Sequence, residues 1–286
     1  MVKKNCIVMF SGGLDSRLVV KIMQNKKFDI TVIYFRLPFS KDNLDEVKKF
    51  LKLHKVKYKI FDITKGKLLK EYIDAIKKAQ HGRGAGVNPC VDCKIFMFKT
   101  AKKFAKKQGI KHIASGEVVG QRPMSQRKKQ LKTIEEEAGI KDMILRPLSD
   151  EYGIFGRKRE KQIEISNKFD IDYPDPAGGC LLCEKTLIKK FEYLLKRGIN
   201  DIELKLVNIG RHFVIDDCWI VLGRNESENK IIEKFKNAVI PSYIGPSAVI
   251  LDTYKATTIK KIKDLIKAYS KKGSLKDRAK FDKWKL

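Results

Sequence analysis

A doubly wound, parallel α/β sheet followed by a smaller α+β domain is the fold class predicted for this chain of 286 residues. Strand-like and helix-like segments alternate through the first 150 residues, the pattern of parallel strands joined by helical crossovers. Two Gly- and Pro-bearing breaks fall where loops would reach the carboxyl edge of such a sheet, and that edge is where these folds take ligands. The length allows two domains, each with its own core.

The apolar run "NCIVMF" (5–10) predicts a buried strand, and "DSRLVVKIMQNKK" (15–27) carries apolar residues at helical spacing. "DITVIYFRL" (29–37) is a second strand, "LDEVKKFLKLHK" (44–55) a second helix and "YKIFDI" (58–63) a third strand. Helices are then predicted for "KLLKEYIDAIKKA" (67–79) and "CKIFMFKTAKKFAKKQG" (93–109), and a strand for "IKHIASGE" (110–117). The breaks are "QHGRGAGVNPCVDC" (80–93) and "VVGQRPMSQRKKQ" (118–130). Residues 1–150 are read as one domain and 151–185 as a connector, with a basic helical stretch "RKREKQIEISNKF" and then "DYPDPAGGCLLC". Residues 186–286 form the smaller domain: a helix in "TLIKKFEYLLKRG", a hairpin "RHFVIDDCWIVLG" turning at Asp216–Asp217, a helix in "ESENKIIEKFKN", a strand "SAVILD" and a basic helix "TTIKKIKDLIKAYSKKG". The tail "DRAKFDKWKL" is expected to be loose.

Lys and Arg number 62 against 34 Asp and Glu, a formal charge of +28 with pI near 9.8. A positive field of that size attracts polyanions, because neutralised phosphates release their counterions. Nucleic acid is therefore favoured as partner, against the plainer reading of solvated basic faces. No apolar run is long enough to span a bilayer and "MVKKNCIVMF" leads directly into a strand, so a cytoplasmic location and no membrane partner are expected. Of six cysteines, Cys90/Cys93 and Cys180/Cys183 form two CxxC pairs, which in such a setting indicate metal or redox chemistry. Cys6 and Cys218 lie in strand patterns and read as core.

The stretch "SGGLDS" (11–16) sits between the first strand and the first helix. Gly12 and Gly13 allow a tight turn, and successive N–H groups ahead of a helix N-terminus make an anion nest to which Ser11 and Ser16 can add hydroxyls. A βα turn with ordinary caps would look similar, but Asp15 beside phosphate calls for a cation or a loop-orienting role. The six residues resemble the SGGxDS signature of the PP-loop ATP pyrophosphatase superfamily, whose fold is adenine nucleotide alpha hydrolase-like. Its members cleave ATP between the α- and β-phosphates and adenylate a carbonyl oxygen. The resemblance implies that Ser11, Gly12, Gly13, Asp15 and Ser16 bind ATP, that Mg²⁺ acts with Asp15, and that "ASGE" (114–117) supplies the second nucleotide loop through Gly116.

"NPCVDCK" (88–94) and "GGCLLC" (178–183) supply four thiols, a donor set suited to zinc, to an iron–sulfur cluster or to persulfide relay. Pro89 and the Gly178–Gly179 pair predict loops for both motifs. Together with "ASGEVVGQRPMSQ" they resemble the tRNA-thiolating branch, the 2-thiouridylases and 4-thiouridine synthetases. That likeness implies tRNA as partner, transfer of sulfur to the carbon of a uridine carbonyl whose oxygen has been adenylated, and a catalytic set of Asp15, Cys90, Cys93 and Cys180. It further implies a 4Fe–4S cluster on Cys90, Cys93 and Cys180. Cys183 departs from the family pattern and is either a fourth ligand or a helper; structural zinc is the alternative. No rhodanese-like segment is recognisable, so an external sulfur donor is expected, sulfide or a persulfide carrier. "GQRPMSQRKK" offers Arg122 and Arg127 to RNA phosphates or the adenylate, with a low-pKa thiolate or cluster-bound sulfide as nucleophile.

Residues 207–235 are similar to the NFACT-type RNA-binding domain and implicate Arg211, Arg224 and Asn225 at a phosphate backbone. The alternative is that "GRN" merely makes a turn and a helix cap. Rival functions are an amine-transferring PP-loop enzyme with structural zinc, and a non-catalytic RNA-binding module on a nucleotide fold.

Overall fold

A computed structural model describes residues 4–40, 43–175 and 179–286, which form two compact units, Met1–Lys185 and Thr186–Leu286. In the first unit the elements run β1 (Asn5–Phe10), α1 (Leu14–Asn25), β2 (Asp29–Arg36), α2 (Leu44–Leu53), β3 (Lys57–Asp62), α3 (Gly66–Lys78), α4 (Cys90–Lys107), β4 (His112–Ser115), α5 (Lys128–Ala138), β5 (Ile144–Leu145), α6 (Pro147–Asp150) and α7 (Glu160–Lys168). The sheet order is β3-β2-β1-β4-β5 and every pairing is parallel. The order reverses at β1 and β4, where Cys6 pairs with His112 and Met9 with Ser115. That reversal opens a crevice at the carboxyl ends of the two strands.

Alternation along β1 explains the two covered faces. Cys6, Val8 and Phe10 join one core cluster with Leu18, Val19 and Met23 of α1 and with Val47, Phe50 and Leu51 of α2. On the opposite face Phe35 stacks on Phe61 at 5.3 Å, and Phe61 meets Phe104 of α4 edge-on at 6.0 Å. A strand buried on both sides needs apolar residues at every position, hence the unbroken run "CIVMF". Cys6 is fully buried, as expected of a core residue.

Three expectations are corrected. The break read over 118–130 ends sooner than expected, since α5 begins at Lys128, and β5 and α6 follow it. Residues 151–185 are no connector: α7 packs on α1, and Ile154, Ile165 and Ile171 belong to the α1 core cluster. The tail is ordered rather than loose. It forms α11 (Leu275–Ala279), Ser274 closes that helix with a capping box to Asp277, Phe281 is buried, and the Leu286 N–H donates to the His212 carbonyl at 3.0 Å.

The second unit runs α8 (Ile188–Arg197), β6 (Arg211–Ile215), β7 (Cys218–Leu222), α9 (Glu226–Ile232), β8 (Ala238–Val239), β9 (Ala248–Ile250), α10 (Ala256–Tyr269) and then α11. Its antiparallel sheet has the order β6-β7-β9-β8. The expected hairpin is present, and Asp216 and Asp217 both take positive φ (51° and 61°), as a two-residue turn that matches strand twist requires. The core gathers Phe213, Ile215, Cys218, Ile220 and Leu222 against Ile262, Leu265 and Ile266 of α10. No helix of the described residues is long and apolar enough to cross a membrane.

His212 sets an acid limit on this unit. It is buried, and its Nδ1 accepts from the Trp219 indole N–H at 3.1 Å, so the ring must stay neutral there. Burial first, then the charges of Lys190 and Arg224, lower its pKa to about 3. The unfolded chain therefore takes up this proton more readily between roughly pH 6.5 and 3, and stability falls by about 1.4 kcal/mol per pH unit across that window. His212→Gln is expected to flatten the acid limb of a melting-temperature profile; an unchanged limb refutes the assignment.

Candidate active site

The loop after β1 is built by its own backbone. Gly12 turns with φ +86°, Gly13 is extended at the N-terminus of α1, and the first helical bond runs from the Arg17 N–H to the Gly13 carbonyl at 3.1 Å. The N–H groups of residues 14–16 therefore precede the helical ladder, as anion recognition at a helix start requires. Ser16 Oγ donates to the Gly13 carbonyl at 2.8 Å and lies 3.4 Å from Ser11 Oγ, which is on an exposed residue.

Arg17, which sequence reading passes over, clamps this turn. It is 3% exposed, its Nε donates to the Gly12 carbonyl at 2.8 Å, and its Nη1 donates to the Asp172 carbonyl at 2.7 Å. It also pairs with Glu46 and lies 4.6 Å from the Phe50 ring centre.

Asp15 is the chemically unusual member. Its Oδ2 accepts from Gln121 Nε2 at 3.0 Å, while Oδ1 is buried without a partner. Burial raises its pKa, opposed by the Gln121 bond and by Arg159, Gln162 and Arg122. An orphaned carboxylate oxygen beside an anion nest suits a divalent cation carried with a polyphosphate.

Gly116 follows β4 and lies directly on this loop. A Cβ there would stand 2.9 Å from the Asp15 carbonyl carbon and 3.0 Å from the Asp15 oxygen and the Ser16 nitrogen. Backbone atoms cannot yield as a side-chain tip can, so Gly116→Ala is expected to spread the two loops at a cost of about 1–3 kcal/mol. The check is nucleotide affinity by calorimetry, with a loss of roughly tenfold or more expected.

Glu117, the next residue, is buried in an ion network. It receives Lys94 Nζ at 2.6 Å and Arg146 Nη2 at 3.2 Å, and Arg146 also pairs with Glu135. Burial would raise the Glu117 pKa, but Lys94 and Arg146 outweigh it and hold the carboxyl below its ordinary value. Lys94 adjoins Cys93, so the network ties the second glycine loop to the first cysteine pair.

Cys90 and Cys93 are not in a loop, as expected from the sequence, but in the first turn of α4, three residues apart and so on one face. Pro89 ends the loop and begins the helix. Asn88 Nδ2 donates to Cys90 Sγ at 3.1 Å, and Tyr72 Oη lies 3.4 Å from Cys93 Sγ. The second pair reaches them through the backbone: the Val87 N–H donates to the Leu182 carbonyl at 2.9 Å, and the Leu181 N–H to the Phe39 carbonyl at 2.8 Å. Cys180 is within electrostatic reach of Cys93, Cys183 and Cys90, and Cys183 of Cys90, so the fold brings the two pairs near one another. Gly178, part of the predicted loop, lies outside the described residues.

Burial pushes the Cys93 thiol to about 11 and the Cys180 thiol to about 12, and it also raises Cys183. The expected low-pKa thiolate is thus absent from these free thiols; a bound metal is what would deprotonate them. No group of three or more His, Cys, Asp or Glu among the described residues is arranged to hold a metal ion. The donors themselves, four soft sulfurs, fit zinc or an iron–sulfur cluster.

Arg122 lies in the loop after Gly116, within electrostatic reach of both Asp15 and Cys183. That loop is a compact turn, with the Gly120 N–H donating to the Gln126 carbonyl at 2.7 Å and the Gln126 N–H to Arg122 at 2.9 Å. Arg122 and Arg127 are exposed, and Arg127 precedes α5.

In the second unit the three expected RNA contacts are engaged internally. Arg224 Nε bonds Glu228 at 3.0 Å, Asn225 caps α9 by accepting the Glu228 N–H at 3.0 Å, and Arg211 stacks 5.1 Å from the Tyr269 ring centre. Arg224 and Asn225 stay exposed while they make these contacts.

Residues 210–281 match the NFACT protein RNA binding domain. Among curated relatives, the chain is 31% identical over 122 residues to tRNA-specific 2-thiouridylase MnmA 1 of Aliarcobacter butzleri, covering 41% of this chain and 35% of that one. It is 32% identical over 222 residues to the "Probable tRNA sulfurtransferase" of Sulfurisphaera tokodaii, covering 75% of this chain and 54% of that one. The chain thus spans about a third to a half of these relatives' length. A further match, to the family described as Thiamine biosynthesis protein (ThiI), covers residues 1–168. Since that match takes in both glycine loops, Arg122 and the first cysteine pair, and more than half of the sequence, the chain belongs to the ThiI family.

Proposed function

We propose that the protein uses ATP to replace a carbonyl oxygen of a tRNA uridine with sulfur. One observation carries the proposal: Gly116 packs on the Asp15–Ser16 backbone of the phosphate loop, and Glu117 beside it binds Lys94 next to Cys93, so both glycine loops and the first cysteine pair meet at one edge of the sheet. The relatives' names point the same way. In the first step the uridine oxygen attacks the α-phosphate of ATP and pyrophosphate leaves. In the second, a sulfur nucleophile from an external donor adds to the uridine carbon, and AMP departs with the original oxygen.

The N–H groups of residues 14–16 face the phosphates, and Arg17 keeps their turn from opening. Ser11 and Ser16 add hydroxyls, and Arg122 with Arg127 offers positive charge to the adenylate or to RNA phosphates. A divalent cation held by Asp15 would offset phosphate charge when bound. Cys90, Cys93 and Cys180, with Cys183 as fourth donor or helper, would hold a metal or 4Fe–4S cluster, which supplies a site for sulfur; structural zinc is the competing occupant. An amine-transferring enzyme would leave the cysteines a structural role alone; the tie from Cys93 through Lys94 to Glu117 of the second glycine loop favours sulfur transfer.

The test is anaerobic incubation of purified protein with ATP, Mg²⁺, sulfide and unmodified tRNA, followed by nuclease digestion and mass spectrometry. Thiouridine with equal amounts of AMP and pyrophosphate is the expected result. Pyrophosphate release without thiouridine, even with sulfide and a persulfide donor both supplied, would refute sulfur transfer.

A further inference from the structure

We propose that the second unit grips a single-stranded stretch of tRNA in a lysine-lined cleft between α8 and the C-terminal segment. This deepens the function above and rests on its choice of RNA.

The cleft follows from two simple patterns. Lys189, Glu192, Tyr193 and Lys196 recur at helical spacing on one face of α8, while Phe191, Leu194 and Leu195 are buried on the other. Opposite them, the last residues run along the edge strand β6: Lys285 bridges Phe213, and the Leu286 N–H bonds the His212 carbonyl. Lys283, Trp284 and Lys285 thus face the α8 row across Val214, bordering a shallow, open space of about 400 Å³.

Charge and chemistry in this space suit RNA. Lys189, Lys196, Lys283 and Lys285 are exposed, and none has an ion pair among the described residues; Glu192 is the one acidic side chain in the lining. A minority of the chain's other lysines are neutralised, as Lys261 is by Asp216 and Lys230 by Glu226. Lys283 Nζ stands 4.3 Å from the Trp284 ring centre, which joins cation and aromatic face in one spot. Tyr193 supplies a second ring. Lysines along a groove with aromatic platforms hold a strand by its phosphates and by a stacked base, and only unpaired nucleotides can stack this way. The arginine edge expected from the sequence is less available, since Arg224 is bound to Glu228 and Asn225 to its own helix. Apart from Val214, no lining residue falls in the stretch 210–281 that matches the RNA-binding domain.

The full chain can report the contact directly. Trp219 is fully buried and Trp284 only half-buried, so quenching of tryptophan emission by an unmodified tRNA transcript should come from Trp284 and vanish in Trp284→Phe. The affinity is then followed against KCl for the original chain, for Lys189, Lys196, Lys283 and Lys285 all changed to Ala, and for Lys255, Lys260, Lys263 and Lys267 changed to Ala as a charge-matched control outside the cleft. The cleft variant is expected to lower the slope of log K on log[KCl] by about 3, at roughly 0.7 per single-strand phosphate contact, and the control by less than 1. Equal slopes for the two variants, or an unchanged slope in the cleft variant, overturn the cleft while leaving tRNA as partner. No binding of tRNA by the original chain would overturn the RNA reading and the cleft with it.

Discussion

Asp15→Asn is expected to lower AMP formation at least a hundredfold and to leave the fold as stable as before, or more so. The two halves of this expectation share one cause. A carboxylate buried with a partnerless Oδ1 and a raised pKa is held in its charged form at a cost to stability. In a group of this kind stability falls as pH rises through the unfolded and then the folded pKa, so at neutral pH the cost is fully present. Asn keeps the shape and the bond to Gln121 and removes the charge. Losing the charge that would hold a divalent cation against a reacting phosphate is on the scale of one electrostatic contact, which typically costs 10²–10³ in rate. Kinetics and a thermal melt on the same preparation check both halves. A variant that is inactive and also much less stable would mean that Asp15 holds the loop rather than the ligand.

Gly86→Val is expected to abolish sulfur transfer and the binding of metal by the cysteines. A Cβ at Gly86 would lie 2.4 Å from the Leu182 carbonyl oxygen and 2.9 Å from the Cys183 carbonyl carbon. Its φ is not in the left-handed region, so the requirement is one of space alone. Larger side chains must push the 180–183 segment off α4 and separate the pairs that Val87 and Leu182 hold together. Overpacking of this kind costs about 1–3 kcal/mol, which a whole unit can survive while its cysteine site does not. Iron, zinc and sulfide analysis, with thiol alkylation of the folded chain, gives the readout. Retention of metal and activity would show that the pairs need not meet.

Much of this was legible because it is local. "CIVMF" followed by "SGG" marks a buried strand entering a tight turn, and the Asp216–Asp217 hairpin is announced by turn residues between two β-branched runs. Arg17 was not legible, because its meaning lies in partners far along the chain, Asp172 by 155 residues and Glu46 by 29. Within the sequence it is one basic residue in a helix. The start of α4 could have been found from Pro89, since proline favours the first positions of a helix, but the glycines before it argued for a loop. A two-residue strand such as β5 has no periodicity to read. In the tail, lysines hid the spacing of Phe281 and Trp284, whose rings meet at 5.7 Å.

The reversal of strand order between β1 and β4 has a consequence for the life of the protein in the cell. The strands are neighbours in the sheet although Cys6 and His112 are joined only through β2, β3 and their helices, so a chain still being synthesised has one glycine loop and no second. A nucleotide that touches both loops binds the completed sheet and nothing earlier. At a concentration 100 times its dissociation constant such a ligand adds about 2.7 kcal/mol to resistance against unfolding. Such a ligand would then protect the finished sheet against proteases and give a partly made chain nothing.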